Sequence, residues 1–209
     1  MPLILKEYVD DDCLLGVWQI EEDYNDLISR IHLFPGEQER LDSFKSDSRK
    51  IEWLSVRALL RQIMGKPTTI VYNNERKPFI KGNSYQISIS HSHNLTAILL
   101  SKSKKVGLDL EYMSHKISQI KSKFINNNEF IAKNGNEKFH LYIHWCAKEA
   151  VYKICDKQNI NLRQHITIQK FEPKKEGVIC GRVDNDYRHE KFMLNYFTLD
   201  NYIIVYTSK

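Results

Sequence analysis

The chain has 209 residues, a formal net charge of +5 and 42% apolar residues, with 8 Gly and 5 Pro. This composition excludes collagen-like and low-complexity proteins, and a chain of this length buries roughly 70% of its unfolded surface on folding. The charge is compatible with a phosphorylated ligand or an acidic partner, but it is too small to indicate nucleic acid by itself.

The cysteines and the apolar runs indicate the cellular compartment of the protein. The four cysteines form no Cys-x-x-Cys pair, which argues against a zinc ribbon or a disulfide scaffold and predicts reduced thiols. No apolar run approaches the ~20 residues of a membrane helix, and no signal peptide is visible. We therefore expect a cytoplasmic protein with no membrane association. Because its aromatic residues do not interleave with basic ones, we also expect no nucleic-acid partner.

Apolar periodicity predicts a mixed chain of helices and strands. In chain order, the predicted elements are strands at 3–8 and 14–20, a helix over 37–64, a hairpin formed by 86–90 and 95–101, a strand at 106–112, a helix at 138–155, and strands at 166–170, 178–183, 192–197 and 202–207. Gly65 and Pro67 predict the end of the first helix. The basic segment 116–134 is ambiguous.

Two parts of the chain resemble each other. The segment 52–58 of the first helix matches 144–150 of the second, with Trp53 opposite Trp145, and the hairpin 86–102 aligns with 193–209. Each copy would be a helix followed by a β-hairpin, although matches this short also arise by chance. Two such halves around a pseudo-twofold axis would form a cleft between them.

The strand 106–112 carries two carboxylates on one face. Gly107, Asp109 and Glu111 alternate with three aliphatic residues, which places the two carboxylates roughly 6–7 Å apart along the strand. Such a pair suits Mg²⁺, which binds through few carboxylates and completes its shell with water and phosphate oxygens. An amphipathic strand with a solvated acidic face explains the same pattern.

The segment 145–153 reads Trp-Cys-Ala-Lys-Glu-Ala-Val-Tyr-Lys. On a helix, its Glu149 and Lys153 lie one turn apart on the same face. A functional interpretation makes Glu149 a third metal ligand or a base, and Lys153 a phosphate contact. The alternative is a surface ion pair that contributes a few tenths of a kcal/mol.

Two further segments carry side chains that a phosphate could bind. Ser90 and His91 end a predicted strand, where a polar turn explains them equally well, and a Ser–His hydrolase would need a nucleophile elbow that the sequence lacks. The basic residues between 45 and 61 mostly suit solvated helix faces. Arg57 is the exception, because the internal repeat places it opposite Glu149.

Together these segments resemble the 4′-phosphopantetheinyl transferase family, of the larger Sfp type. The matching motifs follow the family order within residues 36–155, and they are 53–57, Lys77-Pro78, Ile-Ser-His-Ser at 89–92, Gly-Leu-Asp-Leu-Glu at 107–111, and 145–153. One departure is Arg76, which stands where the family usually has Gly. The resemblance implies an α+β fold of two similar halves, 1–103 and 104–209, related by a pseudo-twofold axis with the active site at their junction.

The resemblance also implies a reaction and its residues. The phosphopantetheine arm of coenzyme A would move to a serine of an apo carrier protein, with adenosine 3′,5′-bisphosphate as the other product. The Mg²⁺ ligands would be Asp109, Glu111 and Glu149. Glu149 would also take the serine proton, with Glu129 as a rival base, and Lys153 would steady the phosphate charge. The residues expected to hold coenzyme A are Arg57, Lys77, Pro78, Ser90, His91, Lys45 and Lys148.

The expected partner is an apo acyl or peptidyl carrier protein, and we expect a monomer. Since carrier proteins are typically acidic, Lys116, Lys121 and Lys123 are candidates for a docking surface. Solvated lysines on a mobile segment explain them as well. Two other functions fit the sequence: an inactive relative that binds coenzyme A or a carrier, and an Mg²⁺-dependent phosphohydrolase of small nucleotides.

Overall fold

The computed structural model describes residues 2–82, 85–114, 116–133, 135–156 and 159–209. The chain divides into two compact units, Met1–Ser103 and Lys104–Lys209. Each combines helices with antiparallel sheets, which confirms the predicted α+β class. Within the described residues, no helix is both long enough and apolar enough to cross a membrane.

The first unit places one long helix against a four-stranded sheet. Its elements are β1 (Leu3–Tyr8), β2 (Cys13–Gln19), α1 (Tyr24–Arg30), α2 (Glu37–Asp42), α3 (Asp47–Met64), β3 (Ile70–Tyr72), β4 (Pro78–Ile80), β5 (Gln86–Ser92) and β6 (Leu95–Ser101). The sheet order is β1-β2-β6-β5, and β3 pairs with β4 separately. Leu59 and Ile63 of α3 pack with Ile98 and Leu100 of the sheet to form the core.

The helix predicted over 37–64 is wrong as a single element, because residues 43–46 divide it. Ser46 caps α3, where its hydroxyl accepts a hydrogen bond from the Arg49 backbone N–H at 3.3 Å. The apolar spacing nevertheless continues across the break, since Leu41 of α2 and Leu54 of α3 pack together with Leu27 of α1. Because α2 and α3 pack into one core, their apolar residues together show the spacing of a single long helix.

Arg76 occupies a left-handed backbone position in the turn between β3 and β4. Its φ is +60°, and its N–H donates to the Asn73 carbonyl oxygen at 2.9 Å. We expect Arg76→Gly to raise the free energy of unfolding by about 0.5 kcal/mol, since relief of the strain exceeds the entropy that glycine loses on folding. Urea unfolding measures the change. Glu75→Gly in the same turn is the control and should destabilise, so a loss in both variants would contradict this prediction.

The second unit also packs one long helix on a sheet. Its elements are β7 (Val106–Tyr112), α4 (Ile117–Phe124), α5 (Glu137–Ile154), β8 (Ile166–Ile168), β9 (Glu176–Asn185), β10 (Arg188–Leu199) and β11 (Tyr202–Ser208). The sheet order is β7-β11-β10-β9-β8, with every neighbouring pair antiparallel. Helix α5 lies against β7 and β11, and its Ala147 and Val151 share a core with Ile203 and Val205.

The two units follow the same chain path. In each, a strand leads to an 18-residue helix, and a later hairpin adds its second strand beside the first: β2, α3 and β5–β6 in one unit, β7, α5 and β10–β11 in the other. This shared chain path supports the predicted duplication, while the pseudo-twofold axis stays a prediction.

Candidate functional site

The acidic strand β7 is buried on both faces over residues 106–110. Leu108 and Leu110 are fully buried on one face, and Asp109 on the other face is only 4% exposed. Directly opposite residues of an antiparallel pair share a face, so Asp109 lies beside Val205, which belongs to the core under α5. The acidic face therefore lies toward α5 rather than toward water. The alternative of a solvated acidic face is wrong for Asp109.

Gly107 lets α5 approach this strand closely. A Cβ atom at Gly107 would lie 2.1 Å from the Ala150 carbonyl oxygen and 3.0 Å from the Cβ of Ile154. Any side chain here would push the helix away from the strand. The glycine thus sets the distance across which side chains of β7 and α5 meet.

Lys153 of α5 contacts Asp109 directly. Its Nζ donates to Asp109 Oδ1 at 2.7 Å and to the Leu108 carbonyl oxygen at 2.9 Å. The lysine side chain is 19% exposed, and the aspartate side chain is 6% exposed. The sequence did not predict this ion pair. Because an ammonium group and a metal cation have the same sign of charge, they would compete for the Asp109 carboxylate.

Trp145 contacts the second carboxylate of the strand. Its indole Nε1–H donates to Glu111 Oε1 at 3.2 Å, and its ring meets Phe124 edge to face with centroids 5.2 Å apart. The sequence predicts no role for Trp145 beyond its places in the internal repeat and in the motif 145–153. Its place one helical turn before Glu149 was the signal that could have assigned it to the site.

Cys146 lies beside the same carboxylates but is not a nucleophile. It is fully buried, and its Sγ lies 3.9 Å from the Ile203 carbonyl oxygen. Burial, followed by the negative charges of Asp109 and Glu111, raises the pKa of the Cys146 thiol well above its ordinary value. The thiol therefore stays protonated near neutral pH, where it is unreactive.

The donor atoms of this region suit a hard cation. Asp109 and Glu111 offer carboxylate oxygens from one strand face, and Mg²⁺ prefers such oxygens. Glu149 is partly buried on α5, next to the residue whose carbonyl oxygen faces Gly107. Among the described residues, no three His, Cys, Asp or Glu side chains form a group that could hold a metal ion. The chemistry of the two strand carboxylates fits Mg²⁺, and the three-ligand set stays a prediction.

Lys148 and Glu129 form a separate buried cluster. Lys148 Nζ donates to Glu129 Oε2 at 2.7 Å and also reaches three backbone carbonyl oxygens, among them Phe124 O at 2.6 Å. Neither side chain is exposed. This position favours a structural role for Lys148 over the predicted contact with coenzyme A, because its ammonium hydrogens are already used inside the second unit.

The environment of Glu129 also argues against its predicted role as a base. Its carboxylate accepts hydrogen bonds from the backbone N–H groups of Asn126 and Ile168, at 2.9 and 2.8 Å. Burial alone would raise the pKa of Glu129, but contacts with His144 and Lys148 hold it below its ordinary value. A buried carboxylate with a lowered pKa and satisfied oxygens is poorly placed to take a proton from a substrate.

His140 lies next to this cluster as a neutral imidazole. It is fully buried, and its Nδ1 accepts a hydrogen bond from the Ala132 backbone N–H at 3.1 Å. Burial, with a smaller effect of His144, lowers the pKa of His140 from 6.5 to about 4. As pH falls, the unfolded chain therefore takes up this proton before the folded protein does.

We expect the free energy of unfolding to fall as pH drops from 6.5 to 4, with His140 contributing up to about 3 kcal/mol of the loss. His140→Asn keeps an acceptor for the Ala132 N–H but does not titrate, so its profile should be flatter. Urea unfolding at a series of pH values measures both slopes. His189→Asn, at an exposed position, is the control. An unchanged slope in His140→Asn would show that this histidine does not cause the acid sensitivity.

In the first unit, Arg57 lies in an ion pair of its own. Its Nε donates to Glu37 Oε1 at 2.9 Å, and its guanidinium lies over the Trp53 ring. The side chain is 5% exposed. Burial lowers the pKa of Arg57, and the Glu37 charge opposes that change. The structure therefore assigns Arg57 a buried partner that the sequence did not predict.

His91 belongs to a different cluster on the surface of the first unit. Its Nε2 lies 2.8 Å from Arg49 Nη1, and its Nδ1 lies 3.6 Å from Glu52 Oε2. Arg49 is 46% exposed, so its guanidinium can also donate to a phosphate, whereas the Nε2 of His91 accepts the Arg49 N–H. Ser90, next in sequence, is buried.

The other residues predicted to bind coenzyme A lie at two further places in the first unit. Lys45 is exposed between α2 and α3, whereas Lys77 and Pro78 lie where β4 begins. Lys77 is 8% exposed. A groove of about 850 Å³ in this unit is lined by none of the predicted residues.

Residues 105–207 match the family model described as the 4′-phosphopantetheinyl transferase superfamily. A domain of this superfamily is thus present in the part of the chain that contains β7, α5 and the contacts between them. The chain matches no curated protein.

Proposed function

We propose that the protein transfers the 4′-phosphopantetheine arm of coenzyme A to a serine of an apo carrier protein, as an Sfp-type enzyme. The observation that carries this proposal is the Asp109–Lys153 contact between β7 and α5. It places an acidic strand and a basic helix residue together inside the superfamily match at 105–207. Adenosine 3′,5′-bisphosphate is the second product.

The reaction needs help because a neutral serine hydroxyl must attack a phosphorus atom surrounded by negative charge. Asp109, Glu111 and Glu149 are the proposed ligands of Mg²⁺, which neutralises pyrophosphate charge when it is bound. Burial of Asp109 against α5 fixes its carboxylate, which lowers the cost of ordering the site.

The helix residues act on the substrate. Glu149 takes the proton of the attacking serine, directly or through one water. Lys153 donates to phosphate oxygens and stabilises the charge that develops on the leaving bisphosphate. In the first unit, the proposed contacts with the nucleotide of coenzyme A are Lys45, Lys77, Pro78, Ser90 and His91.

The carrier partner is proposed from charge. Helix α4 and the residue before it carry Lys116, Lys121 and Lys123, and Lys123 is exposed. Lys121 pairs with Glu137 at 2.8 Å, which leaves a net positive charge on this segment. An acidic carrier would be drawn toward such a surface.

The test is intact-mass spectrometry of an apo acyl carrier protein and an apo peptidyl carrier protein. Each is incubated with this protein, coenzyme A and Mg²⁺, and a parallel sample contains EDTA. We expect a gain of one phosphopantetheine unit that EDTA abolishes. No gain on either carrier, with coenzyme A bound in calorimetry, would favour the inactive relative. Hydrolysis of a small nucleotide without any carrier would favour the phosphohydrolase.

A further inference from the structure

The second strand carboxylate is linked to α4 through two aromatic side chains. Glu111 accepts the indole N–H of Trp145 at 3.2 Å, and the Trp145 ring packs edge to face on Phe124, the last residue of α4. Phe124 is fully buried, so its ring is held in place and the indole packs against a fixed surface. The position of the Trp145 N–H is therefore set by packing against a second helix.

Lys148 contacts the backbone of the same phenylalanine. Its Nζ donates to the Phe124 carbonyl oxygen at 2.6 Å, and its side chain is fully buried. Trp145 and Lys148 are three residues apart on α5, so they lie on neighbouring parts of one helix face. One contacts the ring of Phe124, and the other contacts its carbonyl oxygen. The end of α4 is thus held at two points by α5.

We propose that Trp145 is a positioning residue, which holds the Glu111 carboxylate in the orientation that binds the cation, and that Phe124 and Lys148 hold Trp145 in place. This inference rests on the proposed function, because Glu111 is a cation ligand only there. A tryptophan N–H is a donor only, so its bond fixes the direction of the Glu111 oxygen that accepts it. Groups that orient a ligand in this way affect metal affinity without touching the metal.

The first test is calorimetric titration of Trp145→Phe with Mg²⁺. This variant keeps a ring against Phe124 but lacks the N–H, and we expect its Mg²⁺ affinity to fall about tenfold. Trp18→Phe is the matched control, since Trp18 is a buried tryptophan of the first unit. Urea unfolding shows whether each variant is folded. An Mg²⁺ affinity of folded Trp145→Phe within twofold of the unsubstituted protein would overturn the proposal.

The second test uses fluorescence and does not require Trp145→Phe to fold. If Trp145 donates to a cation ligand, Mg²⁺ should change tryptophan emission in the unsubstituted protein and in Trp18→Phe, with the midpoint that calorimetry gives. Unchanged emission across that range would overturn the positioning role. A protein that modifies a carrier and binds Mg²⁺, with unchanged emission, contradicts this role alone. A protein that neither binds Mg²⁺ nor modifies a carrier overturns the proposed function as well.

Discussion

Asp109→Ala is expected to lower the rate of phosphopantetheine transfer by on the order of a thousandfold, because a cation at the phosphate contributes several kcal/mol to the transition state. The variant removes a proposed ligand and also the partner of Lys153, whose Nζ lies 2.7 Å from the carboxylate. Intact-mass spectrometry over a time course measures the rate. Calorimetry with Mg²⁺ should show a parallel loss of binding.

One further variant of Asp109 and one control variant elsewhere separate the chemical role of this residue from its packing. Asp109→Asn keeps the size of a buried side chain but removes its charge, so it should lose nearly as much activity as Asp109→Ala. Asp184→Ala removes an aspartate whose side chain is 46% exposed and whose partners are Arg182 and His189, and it should leave transfer unchanged. Full activity in Asp109→Asn would remove this residue from the cation site.

Gly107→Ala is expected to lower the free energy of unfolding by about 3 kcal/mol, at the upper end of the usual cost of overpacking. The new methyl group would lie 2.1 Å from the Ala150 carbonyl oxygen, so α5 as a whole must move. Any molecules that remain folded should transfer more slowly, because that movement carries Glu149 and Lys153, the proposed base and phosphate contact, away from the carboxylates of β7. Urea unfolding and a transfer assay measure the two effects.

Gly16→Ala is the matched control in the first unit. A Cβ at Gly16 would lie 2.4 Å from the Cδ1 atom of Ile63, which is the flexible end of a side chain rather than a backbone atom. The isoleucine can rotate, so we expect a cost of about 1 kcal/mol. Equal losses in the two variants would show that the helix backbone does not limit the approach at Gly107.

Regular elements with strong alternation could be predicted from the sequence. The strand Val106–Tyr112 and the hairpin strand Leu95–Ser101 have the predicted boundaries. Polar and apolar residues alternate along the first strand, and a turn precedes the second. The break at 43–46 could not be predicted, because apolar residues before and after the break pack into one core. Strands β3 and β4, with three residues each, are too short to show a period.

The candidate site was predictable where residues lie close in sequence. The spacing of Glu149 and Lys153, and of Asp109 and Glu111, follows from helix and strand geometry alone. The contact between Lys153 and Asp109 could not be predicted, because it depends on how closely α5 approaches β7.

The burial of Lys148 against Glu129 could not be predicted from the sequence either. A motif places Lys148 beside Glu149, but neighbouring helix positions differ by about 100° in direction. A lysine is rarely buried without a partner, and its partner Glu129 lies in a segment with no regular structure. No period in the sequence links the two residues.

The burial of β7 on both faces has a consequence for mutational scanning. Residues 106–110 are all buried, so most random substitutions there should reduce the amount of folded protein in a cell, whatever their effect on the reaction. A scan that measures activity alone would therefore show few tolerated substitutions at both Leu108 and Asp109. A scan that measures abundance and activity separately would distinguish them, with Asp109→Asn abundant but inactive and large-to-small changes at Leu108 scarce but active per molecule.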